Sequence, residues 1–272
     1  MEQALESSTI DAFREDGVVV LRNAVDACWL ASLAAAIERD IESPGPCYHG
    51  YQVSSGQGRF HGNMRLWEHD DALATFCRDS CLPALAVQLL GVAELRLYYD
   101  QLFVKEPGAD APTRWHNDQP YWPMRGAHVL SLWLTLDPVT PATGGLRFVR
   151  GSHRWQRWFQ PEPFAPGGSA YARNPDYVPM PDIEAMVPVQ DLIAWDMAPG
   201  DLVAFHALTV HGARANQGEA RRRGYAVRYC ASDCTYYDGP GTSPYLQDAA
   251  LSDGAALRGV RYPIVWPRPK GP

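Results

Sequence analysis

His116 and Asp118 stand two residues apart in the run Thr113-Arg-Trp-His-Asn-Asp-Gln-Pro-Tyr-Trp-Pro123. In an extended chain, side chains two apart share a face, so an imidazole nitrogen and a carboxylate oxygen converge there. These are two groups of the 2-His-1-carboxylate set, which leaves coordination positions open and suits non-haem Fe(II) oxygen chemistry. The third ligand must be a later histidine. His206 and His211 both qualify, in Phe205-His-Ala-Leu-Thr-Val-His-Gly-Ala-Arg-Ala-Asn216. On one unbroken strand a separation of five turns them to opposite faces, so at most one points at the metal. Gly212 and Asn216 place His211 at a barrel rim. Arg221, Arg222 and Arg223 then open a β-rich run to Tyr229. A guanidinium facing inward there needs an anion, and a carboxylate matches it with two parallel hydrogen bonds.

These side chains need a frame, and 272 residues with 46% hydrophobic content can build one large core, consistent with a single domain over 1–272. The net charge of −7 gives no general basic surface, so the expected partner is a small molecule, not nucleic acid or a membrane. The acidic start, Glu2 to Glu6, lacks the pattern of a signal peptide, and no apolar run reaches membrane-spanning length, so a cytoplasmic location is expected. Six scattered cysteines read as reduced thiols used in packing.

The front of the chain, about 9–91, reads as helical with one strand at Gly17–Leu21. Asp26 is a cap, Leu30, Leu33, Ala34 and Ile37 recur at helical spacing, and two apolar helices follow around 72–77 and 82–90, the second ending at Gly91. Between them, Cys47 to Asn63 reads as a long loop lining a pocket. From Leu95 to about 230 the texture is β: Leu95–Lys105, Val129–Leu136, Leu146–Val149 and Leu202–Phe205 are strands between turn signals. The expected fold is mainly β with flanking α-helices, a double-stranded β-helix of the jelly-roll, cupin-like kind. Residues 156–191 read as an excursion, and the turn-rich tail 231–272 brings Val260–Trp266 back to pack. Asp201 reads as a turn residue, and His153 and His206 as groups that order a turn.

Taken together, Trp115-His-x-Asp118, Ser131-Leu-Trp-Leu134, Gly144-Gly-Leu-Arg-Phe-Val-Arg-Gly-Ser-His153, Pro199-Gly-Asp201, and His211-Gly with an arginine eleven residues on resemble the phytanoyl-CoA dioxygenase family of Fe(II)/2-oxoglutarate oxygenases. The resemblance spans roughly 9–230. It implies that His116, Asp118 and His211 hold Fe(II) and that Arg222 grips the far carboxylate of 2-oxoglutarate, with Arg223 as the alternative if the register slips by one. It further implies that Trp133 and Gln101 touch that co-substrate and that O2 is the oxidant, with release of succinate and CO2. Related halogenases lack the carboxylate ligand; Asp118 is present, so hydroxylation of a small, largely apolar metabolite is the default outcome. Epoxidation, desaturation or ring formation use the same chemistry. A catalytically inactive jelly-roll binding protein, or a site for Zn or Mn, are the other readings. The substrate pocket is expected from the 47–67 loop, Gln119–Trp122 and the 156–191 excursion. These carry Tyr48, Phe60, Arg65, Trp67, Trp122, Trp158 and Tyr171, with Arg65, Trp122 and Tyr48 as substrate contacts and Arg65 a partner for an anionic group.

Overall fold

The computed structural model describes residues 4–51, 59–109, 111–163 and 170–268. Helix α1 (Ser7–Asp16) ends on Gly17 and leads into β1 (Val18–Leu21). Asp26 caps α2 (Ala27–Glu42) by accepting from the Trp29 backbone N–H at 3.0 Å. A hairpin of β2 (Tyr48–Tyr51) and β3 (Phe60–Met64) precedes α3 (Asp71–Asp79) and α4 (Leu82–Leu90), which stops at Gly91 in the left-handed region. The β-rich part holds β4 (Leu95–Lys105), β5 (Thr113–His116), β6 (Met124–Arg125), β7 (Val129–Thr135) and β8 (Leu146–Val149). After a short helix, α5 (Ile183–Met186), come β9 (Leu192–Ala194), β10 (Leu202–His206), β11 (His211–Ala213), β12 (Arg222–Cys230), β13 (Thr235–Tyr236) and β14 (Ile264–Trp266).

All pairings between these strands are antiparallel. The large sheet runs β1-β10-β7-β12-β4-β3-β2 with β14 on β4, and the smaller one runs β5-β11-β8-β9. Strand alternation gives the large sheet two different faces. One face presents Leu130, Leu132, Leu134, Tyr225, Val227 and Tyr229, and it is covered by Leu33 and Ile37 of α2, Phe76 of α3, and Leu85 and Leu89 of α4. The other face, with Trp133, Phe205 and Ala226, turns toward the smaller sheet, which contributes Phe148. The site lies between the two sheets, as in a jelly roll.

Two sequence expectations change here. The 47–63 loop is largely strand: β2 and β3 extend the sheet beyond β4, and residues 52–58 lie outside the described residues. Its polar residues are buried because distant Asp40 accepts from His61 at 2.9 Å and Asn63 at 2.7 Å. The tail 231–272, of which 269–272 also fall outside, returns as expected through β14 on β4, but earlier in the tail Ser243 and Leu246 reach the cavity described below. The 156–191 excursion is mostly irregular, and its residues 164–169 are likewise outside the described residues. No helix among the described residues is long and apolar enough by itself to cross a membrane. All six cysteines are free.

Candidate active site

The H-x-D pair converges through a turn rather than along one strand. His116 is the last residue of β5, and Asp118 has helical backbone angles just beyond it. The Ala207 carbonyl clamps this turn, accepting from the Asp118 and Gln119 N–H groups at 2.9 and 3.1 Å. Ala207 lies between the two candidate histidines, so β10 and β11 are separate strands and the opposite-face argument gives way. His206 is pinned at the end of β10 by Ala127 O at 3.0 Å and the Leu208 N–H at 3.0 Å. His153 Nε2 donates to Arg14 O at 3.1 Å, away from the metal residues. His211 opens β11 directly across from His116, with ring centroids 4.2 Å apart.

The His116 and His211 Nδ1 atoms lie 2.8 and 3.0 Å from the carbonyls of Arg114 and Thr209. A carbonyl can only accept, so each ring donates there and turns the Nε2 lone pair inward. Those Nε2 atoms lie 3.4 and 3.8 Å from Asp118 Oδ1. The three ligand atoms fall within 4.8 Å of one another, all on buried residues. Three converging acceptors form a site that could hold a cation, and two imidazoles with one carboxylate fit Fe(II) with open positions. Burial pushes His211 down to about 3, with His116 adding to the effect, so it stays neutral and able to ligate. Burial would raise the Asp118 carboxyl, but His116, His211 and the Arg228 guanidinium outweigh it and hold it well below the usual range. Its other oxygen, Oδ2, accepts from Ser131 Oγ at 2.9 Å, which fixes which oxygen faces the metal.

Elsewhere on the same cavity, β12 turns Arg222 and Arg223 in opposite directions. Arg222 is buried and faces inward. Arg223 faces outward, bonded to Asp137 at 2.6 Å and Glu38 at 2.9 Å, and Arg221 pairs with Glu38 and Glu106. Arg222 donates to the Gly144 carbonyl, lies 5.4 Å from the centre of the Trp133 ring, and leaves Nε buried without a partner. Burial pushes it down to about 10, so it is charged at neutral pH. Trp133 can lie there because Gly224 has no side chain; a Cβ would stand 2.6 Å from its Cζ2.

Lys105, which the sequence reading did not single out, is the cross-strand partner of Arg222 and fully buried, its Nζ donating to Arg214 O at 3.0 Å. Burial, then the charge of Arg222, hold the amine well below its ordinary range. Among the described residues neither Arg222 nor Lys105 has an ion-pair partner, so this end of the barrel suits an anion, which would also favour the charged amine. The available signal was alternation on β4: Lys105 has the parity of the cavity-facing Gln101 and Phe103. A lysine at a strand end reads as solvated, which hid it.

The cavity and its open mouth together span about 730 Å³, solvent space included. Gln101, Trp133 and Trp122 line it, with Phe60 and Tyr171 from the expected pocket residues. Gln101 Nε2 stands 3.5 Å from His49. Two of the three expected substrate contacts are placed otherwise. Arg65 spends its guanidinium on Glu68 in the turn after β3, and Tyr48 is 37% exposed with its hydroxyl accepting from Arg59. Trp67 is buried in the helix-side core, and Trp158 stacks on Tyr177.

The sequence model of the family Phytanoyl-CoA dioxygenase (PhyH) matches residues 13–224. The chain belongs to the phytanoyl-CoA dioxygenase family. It is therefore a member of the Fe(II)/2-oxoglutarate-dependent oxygenases, whose reaction uses O2, and its His-Asp-His triad is intact. This family member is 28% identical over 267 residues to a probable phytanoyl-CoA dioxygenase of Caenorhabditis elegans, covering 92% of this chain and 83% of that protein. It is 25% identical over 229 residues to a probable alpha-ketoglutarate-dependent hypophosphite dioxygenase of Stutzerimonas stutzeri, covering 80% and 76%. Among solved structures, the alpha-ketoglutarate-dependent carbocyclase SnoK from nogalamycin biosynthesis matches with a TM-score of 0.76 and 25% identity over 96% of each chain. The epimerase SnoN, in complex with Fe3+, alpha-ketoglutarate and nogalamycin RO, matches with a TM-score of 0.75 and 25% identity over 95% and 97%. These likenesses also show the jelly-roll fold.

Proposed function

We propose that this oxygenase hydroxylates an unactivated C–H bond of a small, largely apolar metabolite while 2-oxoglutarate is converted to succinate and CO2. The observation that carries the reading is Asp118, buried with both histidines, held by Ser131 and lining an aromatic-rich cavity. His116, Asp118 and His211 would hold Fe(II), which when bound supplies the activation of O2 coupled to decarboxylation of the 2-oxo acid. Arg222 holds the far carboxylate of 2-oxoglutarate with Lys105 beside it, and Trp133 and Gln101 flank its path. Tyr121, Trp122 and Tyr171 close the other side of the cavity and keep water from the reacting groups.

A second reading keeps the chemistry and changes its outcome. It rests on the similarity to a carbocyclase and an epimerase, in which the same cofactors serve ring closure and inversion at carbon. The intact triad favours either reading over an inactive binding protein. The test is to screen metabolite pools for stimulation of succinate release and weigh the product. A gain of one oxygen atom with a new hydroxyl in the product's NMR spectrum supports hydroxylation, and the same gain without one means epoxidation; loss of two hydrogens, or no change in mass, moves the assignment to ring formation or desaturation, or to epimerisation.

A further inference from the structure

Arg228 lies six residues after Arg222 on β12, so both face the cavity, their Cα atoms roughly 20 Å apart at the rise of an extended strand. Its cross-strand neighbours are Tyr99 on β4 and Ser131 on β7. The residue is 3% exposed and its guanidinium packs over the Tyr99 ring at 4.6 Å. Its Nη2 stands 3.8 Å from Asp118 Oδ2, beyond hydrogen-bond reach, and that oxygen already accepts from Ser131. Its Nε and Nη1 are buried with no partner. Two unmet N–H groups on a buried cation are a cost that folds rarely leave uncompensated.

Asp118 cannot supply the compensation once a divalent ion is bound. Its single negative charge then faces two positive charges on the metal as well as the guanidinium, and the local excess is positive. The surrounding wall is rich in donors. Ser243 Oγ, brought in by the C-terminal segment, is buried without a partner. The Tyr99 hydroxyl accepts from Trp122 Nε1 at 2.8 Å, so its own proton is left to give. The remaining wall here, with Met64, Tyr171 and Leu246, is largely apolar.

We infer that Arg228 is a substrate-carboxylate-binding residue beside the metal site, distinct from the Arg222 seat, so that the metabolite being oxidised is an organic acid whose body lies on the apolar wall. The inference rests on the proposed oxygenase reading. The contact is a carboxylate oxygen meeting Nε and Nη1, with Ser243 and Tyr99 as further donors.

The experiment uses the full chain loaded with Fe(II) without oxygen, as wild type, Arg228→Gln and Arg228→Lys. The dissociation constant of 2-oxoglutarate is read from its visible charge-transfer band. The loaded complex is then titrated with acetate, hexanoate, benzoate and phenylacetate, each against the matching alcohol. If the metabolite supplies the group, an acid but not its alcohol perturbs the wild-type band saturably, Arg228→Gln weakens that binding at least tenfold, and 2-oxoglutarate affinity holds. The inference is overturned if no acid binds in an Arg228-dependent way: Arg228 then serves 2-oxoglutarate if Arg228→Gln raises the 2-oxoglutarate dissociation constant, and only balances Asp118 if it does not. Should the glutamine variant fail to fold, the lysine variant and the acid-against-alcohol comparison on wild type decide it: no discrimination between acid and alcohol overturns it. A wild type without any 2-oxoglutarate band would instead sink the oxygenase reading itself.

Discussion

Arg222→Ala should weaken 2-oxoglutarate binding by a predictable amount. The side chain is buried, charged and positioned by the Gly144 carbonyl and the Trp133 ring, so a carboxylate would meet it with little reorganisation. Hydrogen bonds to charged groups contribute about 1.5–3 kcal/mol, and a two-point contact lies toward or above the upper end. Lys105, left in place, keeps part of the attraction. A loss of about 3 kcal/mol corresponds to roughly a hundredfold rise in the dissociation constant. Arg223→Ala is the matched control: it breaks contacts to Asp137 and Glu38 on the outer surface, at a stability cost of about 1 kcal/mol, and should leave 2-oxoglutarate affinity unchanged. The assay is anaerobic titration of the Fe(II) protein with 2-oxoglutarate, with urea unfolding of both variants alongside. Equal, small effects of the two substitutions on affinity would refute the assignment of Arg222.

Three more consequences can be measured. Ser131→Ala removes the hydrogen bond to Asp118 Oδ2 and should lower Fe(II) affinity about 10- to 100-fold, with little change in melting temperature; unchanged metal affinity would deny Ser131 its positioning role. Gly224→Ala puts a methyl 2.6 Å from Trp133 Cζ2 and should destabilise the protein by about 1–3 kcal/mol while weakening 2-oxoglutarate binding, whereas a wild-type melting temperature would mean that the ring is not held there. Burial raises the Asp100 carboxyl from 3.8 to about 7 in the folded protein. The native state therefore keeps a proton that the unfolded chain releases, and stability should fall as pH rises between those values, by up to about 1.4 kcal/mol per unit. Asp100→Asn removes that contribution, so urea midpoints at pH 5 and pH 7 should differ less in the variant; equal slopes would contradict the shift.

Much of the site was legible because the informative residues are local. The H-x-D spacing and the turn beyond His211 needed only neighbours in sequence, Arg222 was singled out over Arg223 by the family pattern alone, and β4 was read to its end residues. The argument about faces held where strands are unbroken and failed where they are not. His206 and His211 sit on two strands, and on β4 a bulge opposite the Arg228/Tyr229 step lets Leu97 face the helices while Tyr99 faces the cavity. What stayed hidden depends on distant partners. His61 and Asn63 look like loop residues until Asp40, more than twenty positions away, satisfies them in a strand. Arg65 looked available for an anionic substrate until the turn placed it against Glu68. Lys105 and Arg228 are ordinary strand cations in sequence, and only the closed barrel shows that they are buried. Ser243 enters the cavity from a tail whose local pattern says only that it turns.

The central claim is that His116, Asp118 and His211 hold an Fe(II) that takes 2-oxoglutarate as a chelate. The direct measurement is an anaerobic visible spectrum of the purified protein with Fe(II) and 2-oxoglutarate, for wild type and His211→Ala. A weak metal-to-ligand charge-transfer band in the wild type that is lost in the variant is the predicted result. Tightly bound metal with no such band in the wild type would contradict the account.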